Sequence, residues 1–307
     1  PSAEYEIYFV ATPGLEEALL AEVQSLGFTG AKLAVGGITA IGDWSEVWRA
    51  NLEVRGAGRV LVRIGAFHVG HLAQLDKLSR KFPWSDFLRK DVPVRVEATC
   101  RKSKIYHAGA AVQRIATAIK EELGAQISDD ADVCVKARIE NDLCTISLDS
   151  SGGMLHKRGH KEAIAKAPLR ETIASLLLRA AGFSGQEPVL DPMCGSGTFI
   201  IEAAEIAVGL KPGRSRKFAF EQLASFDAAK WAVMQQSAST ATQLKFYGSD
   251  RDAGAIRSSL ANAARAGVAR APLPDRPEQV HSGRQRHANR RSGGAVGQGF
   301  RHCGQIG

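Results

Sequence analysis

Two acids and a turn of small residues are the parts of this chain best suited to holding a ligand. Residues 189 to 204 read VLDPMCGSGTFIIEAA: an apolar run ends at Asp191, Gly195 and Gly197 follow, and Thr198 opens a segment of helical composition. Glycines let the backbone turn tightly and approach a ligand, and the free N–H groups of a helix's first turn can face polar ligand atoms. The carboxylate of Asp191 repels a pyrophosphate and attracts a cation, so the ammonium of a methionine moiety suits it better. Neither phosphate-binding pattern fits, because G-x-G-x-x-G needs glycine at position 200, where Ile200 stands, and no Lys-Ser or Lys-Thr closes the turn. The competing reading is a plain strand-to-helix turn with Asp191 as a turn residue.

A second acid, Asp250, ends the run LKFYGSD. At the end of a second parallel strand it could accept hydrogen bonds from both hydroxyls of a ribose. The alternative is an N-cap role, since Ser249, Asp250 and Asp252 all suit a helix start. With acids ending successive strands, S-adenosylmethionine fits best, and NAD and nucleoside triphosphates fit less well. The cofactor-binding candidates are therefore Asp191, Pro192, Cys194, Gly195, Ser196, Gly197, Thr198 and Asp250.

The elements that must position these residues follow from periodicity. EYEIYFVA reads as a strand; Thr12 and Pro13 then offer an N-cap and a first-turn proline to a helix with Leu15, Leu19, Val23 and Leu26 on one face, ended by Gly27. Residues 31 to 43 read as two short strands about Gly36-Gly37, and WSEVWRANLEV as a helix. Strand, helix and strand recur in GRVLVRIGAFHV, HLAQLDKLSRKF and VPVRVEATC. SKIYHAGAAVQRIATAIKEELG reads as a long helix, and DVCVKARI with LCTISLDSS as a hairpin about Glu140-Asn141-Asp142. This α+β grammar predicts a small sheet with helices on one side. A glycine-rich, basic linker over 151–168 leads to the helix PLRETIASLLLRAAG, after which strand-turn-helix units announce an α/β, doubly wound parallel sheet. Its ligand crevice should lie beyond the strand ends at Asp191 and Asp250.

Bulk properties narrow the function classes. A length of 307 residues predicts two domains, and no apolar run approaches the ~20 residues that span a bilayer. PSAEYEIYFV lacks the features of a secretory signal, so the expected location is the cytoplasm, with no membrane partner. Five cysteines without a CxxC pair suggest neither a disulfide framework nor zinc, and His68 with His71 lacks a third ligand, so no metal is expected. Of the net charge of +8, residues 270–307 carry +5 from seven Arg and two acids, so an RNA partner must rest on local patches. Two stand out: Arg101, Lys102, Lys104 and His107 where a strand meets the long helix, and Lys157 and Arg158 in the linker, flanked by His156, His160 and Lys161. Phosphates reward such clusters through counterion release. The alternative is a solvated loop.

These residues also carry a family resemblance. DPMCGSGTFIIEAA, the preceding APLRETIASLLL, HKRGH, and FYGSD followed by AN-x-x-R-AG resemble the bacterial THUMP-domain RNA guanine-N2 methyltransferases. PGLEEALLAEVQSLG, GGITAIGD, WRANLEVRGAGRVLVRIG and the hairpin ending ISLDSSG are similar to that family's ferredoxin-like and THUMP module, so the likeness runs from residue 4 to about 268. It implies a ferredoxin-like subdomain (1–55), a THUMP RNA-binding domain (56–150), the linker (151–168) and the first half of a Rossmann-like methyltransferase domain (169–269). It further implies that structured RNA, 23S rRNA, is methylated at guanine N2 from S-adenosylmethionine, with Asp191 and the 195–197 turn on the methionine side and Asp250 on the ribose. Adenine-N6 methylation of DNA is an alternative.

The resemblance breaks near residue 270. The family's fourth strand ends in Asn-Pro-Pro-aromatic, about fifty residues after Asp250, and its groups hold the target amine. No Asn-Pro-Pro stands in the chain, and GQGFRHCGQIG occupies that place. No residue is therefore assigned to catalysis. The irregular composition of 270–307 predicts an out-of-frame or disordered tail after an incomplete sheet, and hence RNA binding alone, or an inactive truncated enzyme, as the second functional reading.

Overall fold

The computed structural model describes residues 3–161, 169–236 and 239–269, together with the backbone of 302–306. The chain order is β1 (Tyr5–Val10), α1 (Glu16–Ser25), β2 (Lys32–Ala34), β3 (Gly37–Gly42), α2 (Trp44–Glu53), β4 (Arg59–His68), α3 (Leu72–Arg80), β5 (Val94–Arg101), α4 (Ala108–Leu123), β6 (Val133–Glu140) and β7 (Leu143–Asp149). Then come α5 (Glu171–Ala180), β8 (Val189–Asp191), α6 (Thr198–Ala207), α7 (Ala228–Gln235), β9 (Phe246–Asp250), α8 (Ala253–Ala266) and β10 (His302–Ile306).

The expected small sheet is in fact one seven-stranded sheet, ordered β2-β3-β1-β4-β7-β6-β5. β4 makes it continuous, pairing antiparallel with β1 on one side and β7 on the other. An expected boundary at 55/56 therefore falls just before the strand that joins the two parts, which share one core. The alternation of period two puts Ile7, Phe9, Val60, Val62, Ile146 and Leu148 into that core. The opposite face keeps Tyr8, Arg63, Lys136 and Arg138 along an open groove. The hairpin falls where sequence places it: Asn141 and Asp142 both have positive φ, 50° and 62°, as a two-residue turn matched to the strand twist requires.

Two helix starts differ from expectation. Thr12 does not cap α1; Gly14 takes φ 85° and Leu15 occupies the N-cap without a side-chain bond. The long helix begins only at Ala108, because Lys102 adopts φ 46° and Asp142 holds the Ser103 hydroxyl and the Lys104 N–H, each at 2.8 Å. His107 then caps α4 through Nδ1.

The second region is a three-stranded sheet, β10-β9-β8, with β8 and β9 parallel as expected. Its core gathers Leu178, Ile200, Ile201, Phe246, Ile256 and Ala263 from α5, α6, β9 and α8. The irregular tail is corrected at one point, for the backbone of 302–306 pairs antiparallel with β9. The rest of 270–307 lies outside the described residues, as do residues 162–168 of the expected linker. The described part of that linker is no free tether, since Ser151, Leu155, Arg158 and His160 are buried. Sequence periodicity also passes over residues 211–236. There Phe218, Phe220, Leu223 and Trp231 join the core of the first region, with Phe220 stacked on Trp48 at 6.0 Å.

Candidate cofactor cradle

Two parallel strands place the two acids side by side. Asp191 pairs with Gly248, so Asp250 lies two residues further along the neighbouring strand at the same sheet edge. The turn after β8 is fastened to β9 by three bonds: Cys194 N–H donates to the Ser249 carbonyl (3.0 Å), the Ser249 hydroxyl to the Pro192 carbonyl (3.3 Å), and Gly195 N–H to Asp250 Oδ2 (3.0 Å). Asp191 folds back on its own turn, accepting the Met193 N–H at 3.0 Å. The N-cap of α8 is Asp252, not Asp250. The Asp252 N–H foremost, with that of Gly195, holds the Asp250 carboxyl below the usual carboxylate range against partial desolvation. Each carboxylate oxygen carries two acceptor sites, so Asp250 keeps capacity for hydroxyl donors beyond these two N–H groups.

Gly197 is required by space as well as by φ, and Gly248 by space. Gly197 sits at φ 87°, and a Cβ there would lie 2.3 Å from Ser259 Oγ on α8. On the other side of the turn, a Cβ on Gly248 would meet Ile200 Cδ1 at 2.5 Å and Cys194 Sγ at 2.9 Å. The turn is thus pressed between two elements. Gly197 is also the N-cap of α6 and offers no capping side chain, which leaves the first-turn N–H groups for other acceptors.

Not every candidate faces outward. Asp191, Gly195 and Asp250 are half-buried and Pro192 is exposed, whereas Cys194, Ser196, Gly197 and Thr198 are buried. Burial pushes the Cys194 thiol up to about 11, so it is a packing group. The Thr198 hydroxyl points back into the protein, where Lys161 Nζ donates to it at 2.9 Å while also pairing with Glu171 at 3.0 Å. Asn262 Nδ2 donates to the Ser196 carbonyl at 3.1 Å. The sequence places Lys161 with the linker's basic cluster rather than with the cradle, and the AN-x-x-R-AG pattern is its only signal for Asn262.

Behind the turn, α6 is bound to the first region by buried charge. Glu202 and Glu205 share one helix face, as residues three apart do. Arg55, just after α2, reaches both at 2.8 and 3.1 Å; Arg158 reaches Glu202 at 3.1 Å and Arg214 reaches Glu205 at 2.6 Å. Burial alone would raise the Glu202 carboxyl, but Arg158 and Arg55 overcome it and hold the group below its ordinary value. Burial pushes the His160 imidazole down, although Glu205 lies 3.7 Å away.

This corrects one RNA candidate. The Arg158 side chain is only 2% exposed and spends its donors on Glu202 and on the Leu155 and Arg55 carbonyls, so it cannot meet a phosphate. Lys157 is exposed. Arg101, Lys102, Lys104 and His107 are also exposed, with Glu140 3.9 Å from Arg101 and Asp142 3.8 Å from Lys104. Tyr106, unnoticed in the sequence, stands 85% exposed among them. Among the described residues no cluster of His, Cys, Asp and Glu could hold a metal, and no helix is long and apolar enough to cross a membrane.

A parallel strand pair with an acid ending each strand, and a glycine turn between the first strand and its helix, is the first half of a Rossmann-like methyltransferase fold. Three family models match in succession: the RlmL ferredoxin-like domain over residues 6–61, the THUMP domain over 71–149, and the RMKL-like methyltransferase domain over 158–272. The "Putative RNA methyltransferase slr0064" of Synechocystis sp. is 30% identical over 275 residues, which cover 85% of this chain and 72% of that protein. The "Ribosomal RNA large subunit methyltransferase K/L" of Psychromonas ingrahamii is 32% identical over 85% of this chain, which spans 37% of that longer protein. A solved structure from Listeria monocytogenes, described as a "predicted N6-adenine-specific DNA methylase", superposes with a TM-score of 0.78 at 30% identity, over 86% of this chain and 72% of that one. SMU.472, "a putative methyltransferase complexed with SAH", shares the fold with a TM-score of 0.76 at 24% identity, over 87% of this chain and 74% of that one. The chain belongs to the family of THUMP-containing, RMKL-like methyltransferases.

Proposed function

We propose that this protein binds S-adenosylmethionine at the turn 191–198 and Asp250 and serves the methylation of guanine N2 in structured RNA, with 23S rRNA as its substrate. The observation that carries the reading is the bond from Gly195 N–H to Asp250 Oδ2, which locks the turn after one parallel strand to the acid ending the next. The residues fit the cofactor. Asp191 attracts the ammonium end, the uncapped α6 N-terminus offers N–H donors, and Asp250 retains acceptor capacity for ribose hydroxyls. Gly195, whose Cβ position is open space, keeps the backbone bare on the approach, while Gly197 lets α8 pack against the turn from behind. When bound, the cofactor supplies the methyl group. The protein's own part is to fasten the turn from behind through Asn262 and Lys161, and to fix α6 against the RNA module through Arg55, Glu202 and Glu205.

The RNA contact of this reading is the β5–α4 loop, where Arg101, Lys102 and Lys104 would meet phosphates and Tyr106 offers a stacking face. Domain limits of 1–55, 56–150 and 169–269 accompany it as functional divisions. The THUMP match favours RNA over duplex DNA, and adenine-N6 methylation of DNA is the outcome to exclude. The second reading is that the chain binds RNA and cofactor without transferring the methyl group. Labelled S-adenosylmethionine with undermodified rRNA separates the two. Incorporation at guanine N2 supports the enzyme; cofactor and RNA binding without incorporation leaves the binding protein; labelling of DNA adenine overturns both.

A further inference from the structure

A cavity of about 610 Å³ lies where the segment 151–157 meets the segment 216–222, with Asp132 on its rim, and nothing above assigns it a role. Its cations are Lys157, Arg216 and Lys217. Among the described residues none of the three has an ion-pair partner. Arg216 is fixed in place by backbone: NH1 donates to the Met154 and Lys157 carbonyls at 2.8 and 3.0 Å, and NH2 to those of Ser151 and Gly153 at 3.3 and 2.8 Å. Nε reaches the Lys217 carbonyl at 3.5 Å, and the guanidinium lies 4.9 Å from the Phe218 ring centroid. All its donors are taken, so Arg216 contributes fixed positive charge rather than hydrogen bonds. Burial, then the nearby Arg158 and Arg59 charges, push Arg216 down to about 10, against the opposing pull of Asp149.

Two carboxylates, Asp132 and Glu221, share the lining and keep their charge, so the three cations outnumber them by one. Glu221 accepts the Phe218 N–H at 2.8 Å, and Asp132 accepts from Gln222 at 3.5 Å. Lys157 and Lys217 are exposed and free to turn toward an anion in the cavity. A phosphate is the chemistry this arrangement answers: two mobile ammonium groups with a fixed guanidinium charge behind them.

We infer that the cavity between residues 151–157 and 216–222 is a second anion site, which takes a backbone phosphate of the RNA through Lys157 and Lys217. The inference rests on the RNA-binding reading and extends it to a surface that the THUMP match does not include. It places one RNA contact on the segment after α6 that packs on the core of the first region.

The test is the salt dependence of RNA binding by the whole chain, measured by anisotropy with a labelled hairpin. K157Q/K217Q is compared with wild type and with K120Q, an exposed helical lysine remote from the cavity; circular dichroism confirms that each variant folds. Each phosphate contact adds roughly 0.7 to 0.9 to the slope of log K against log salt. The double variant is therefore expected to lower the slope by about 0.7 to 0.9 and to bind roughly five- to eightfold more weakly near 0.1 M salt, while K120Q leaves both unchanged. Equal slopes for wild type and double variant overturn the site. If wild type binds no RNA, the RNA reading itself falls and this inference with it. Inorganic phosphate, followed by 31P line broadening, distinguishes a free-anion site: lysine-dependent broadening with unchanged RNA slopes also overturns the assignment to RNA.

Discussion

The two regions of this molecule are stabilised in different ways. The first closes seven strands over a continuous apolar core, and β4 joins the strands of its ferredoxin-like and THUMP-matched parts. The second has three strands and a smaller core, and leans on the first through Arg55, Arg158, Glu202 and Glu205 and through the aromatic insertion at 218–231. Apolar burial needs no exact partner, whereas a buried carboxylate does. The cradle therefore inherits its position from side chains outside its own sheet.

That contrast is broken most readily at Arg55. R55M removes one cation from two fully buried carboxylates, and breaking such a pair costs about 3–5 kcal/mol. Hydrogen exchange should rise across α6 and the cradle while β4 and β7 stay protected; equal loosening of both regions would refute the division. G197A comes next. Holding an L-residue at φ 87° costs about 1–3 kcal/mol before its clash with Ser259 is counted, so cofactor affinity and second-region stability should fall together. S259G should recover only the part due to the clash.

D250N is milder for the fold. It keeps the shape but weakens two charge-assisted bonds, and cofactor affinity should drop roughly ten- to hundredfold, read by calorimetry, with little change in melting. The smallest effect is expected at His160. Its folded pKa lies below the unfolded one because of burial, so the unfolded chain takes up the proton first as pH falls. Stability from this group is complete above the unfolded value of about 6.5 and is lost as the pH falls from there to the folded pKa. H160Q should flatten that part of the melting-temperature profile, and an unchanged slope would show that Glu205 offsets the burial.

The strands and most helices were legible because alternation and helical spacing coincide with burial, as in Val94, Val96 and the Asn141-Asp142 turn. The cradle residues were legible because few residue types tolerate that turn. Whether β2–β3–β1 and β7–β6–β5 form one sheet or two was not, since local period does not say which strand β4 pairs with. Arg158 read as a linker charge because sequence does not reveal that Glu202, 44 positions on, is buried beside it. The segment 211–236 carried no period, and its aromatic residues pack on a core supplied by a distant part of the chain. Thr12 failed as a cap for a local reason, since Gly14 delays the helix start.

The central claim is that the turn 191–198, clamped by Asp250, holds S-adenosylmethionine. The direct measurement is calorimetric titration of the chain with S-adenosylhomocysteine, wild type against D250N and D191N. The account predicts saturable one-to-one binding that each substitution weakens at least tenfold while the fold survives. Equal affinity in all three proteins, or no binding by folded wild type, would contradict it.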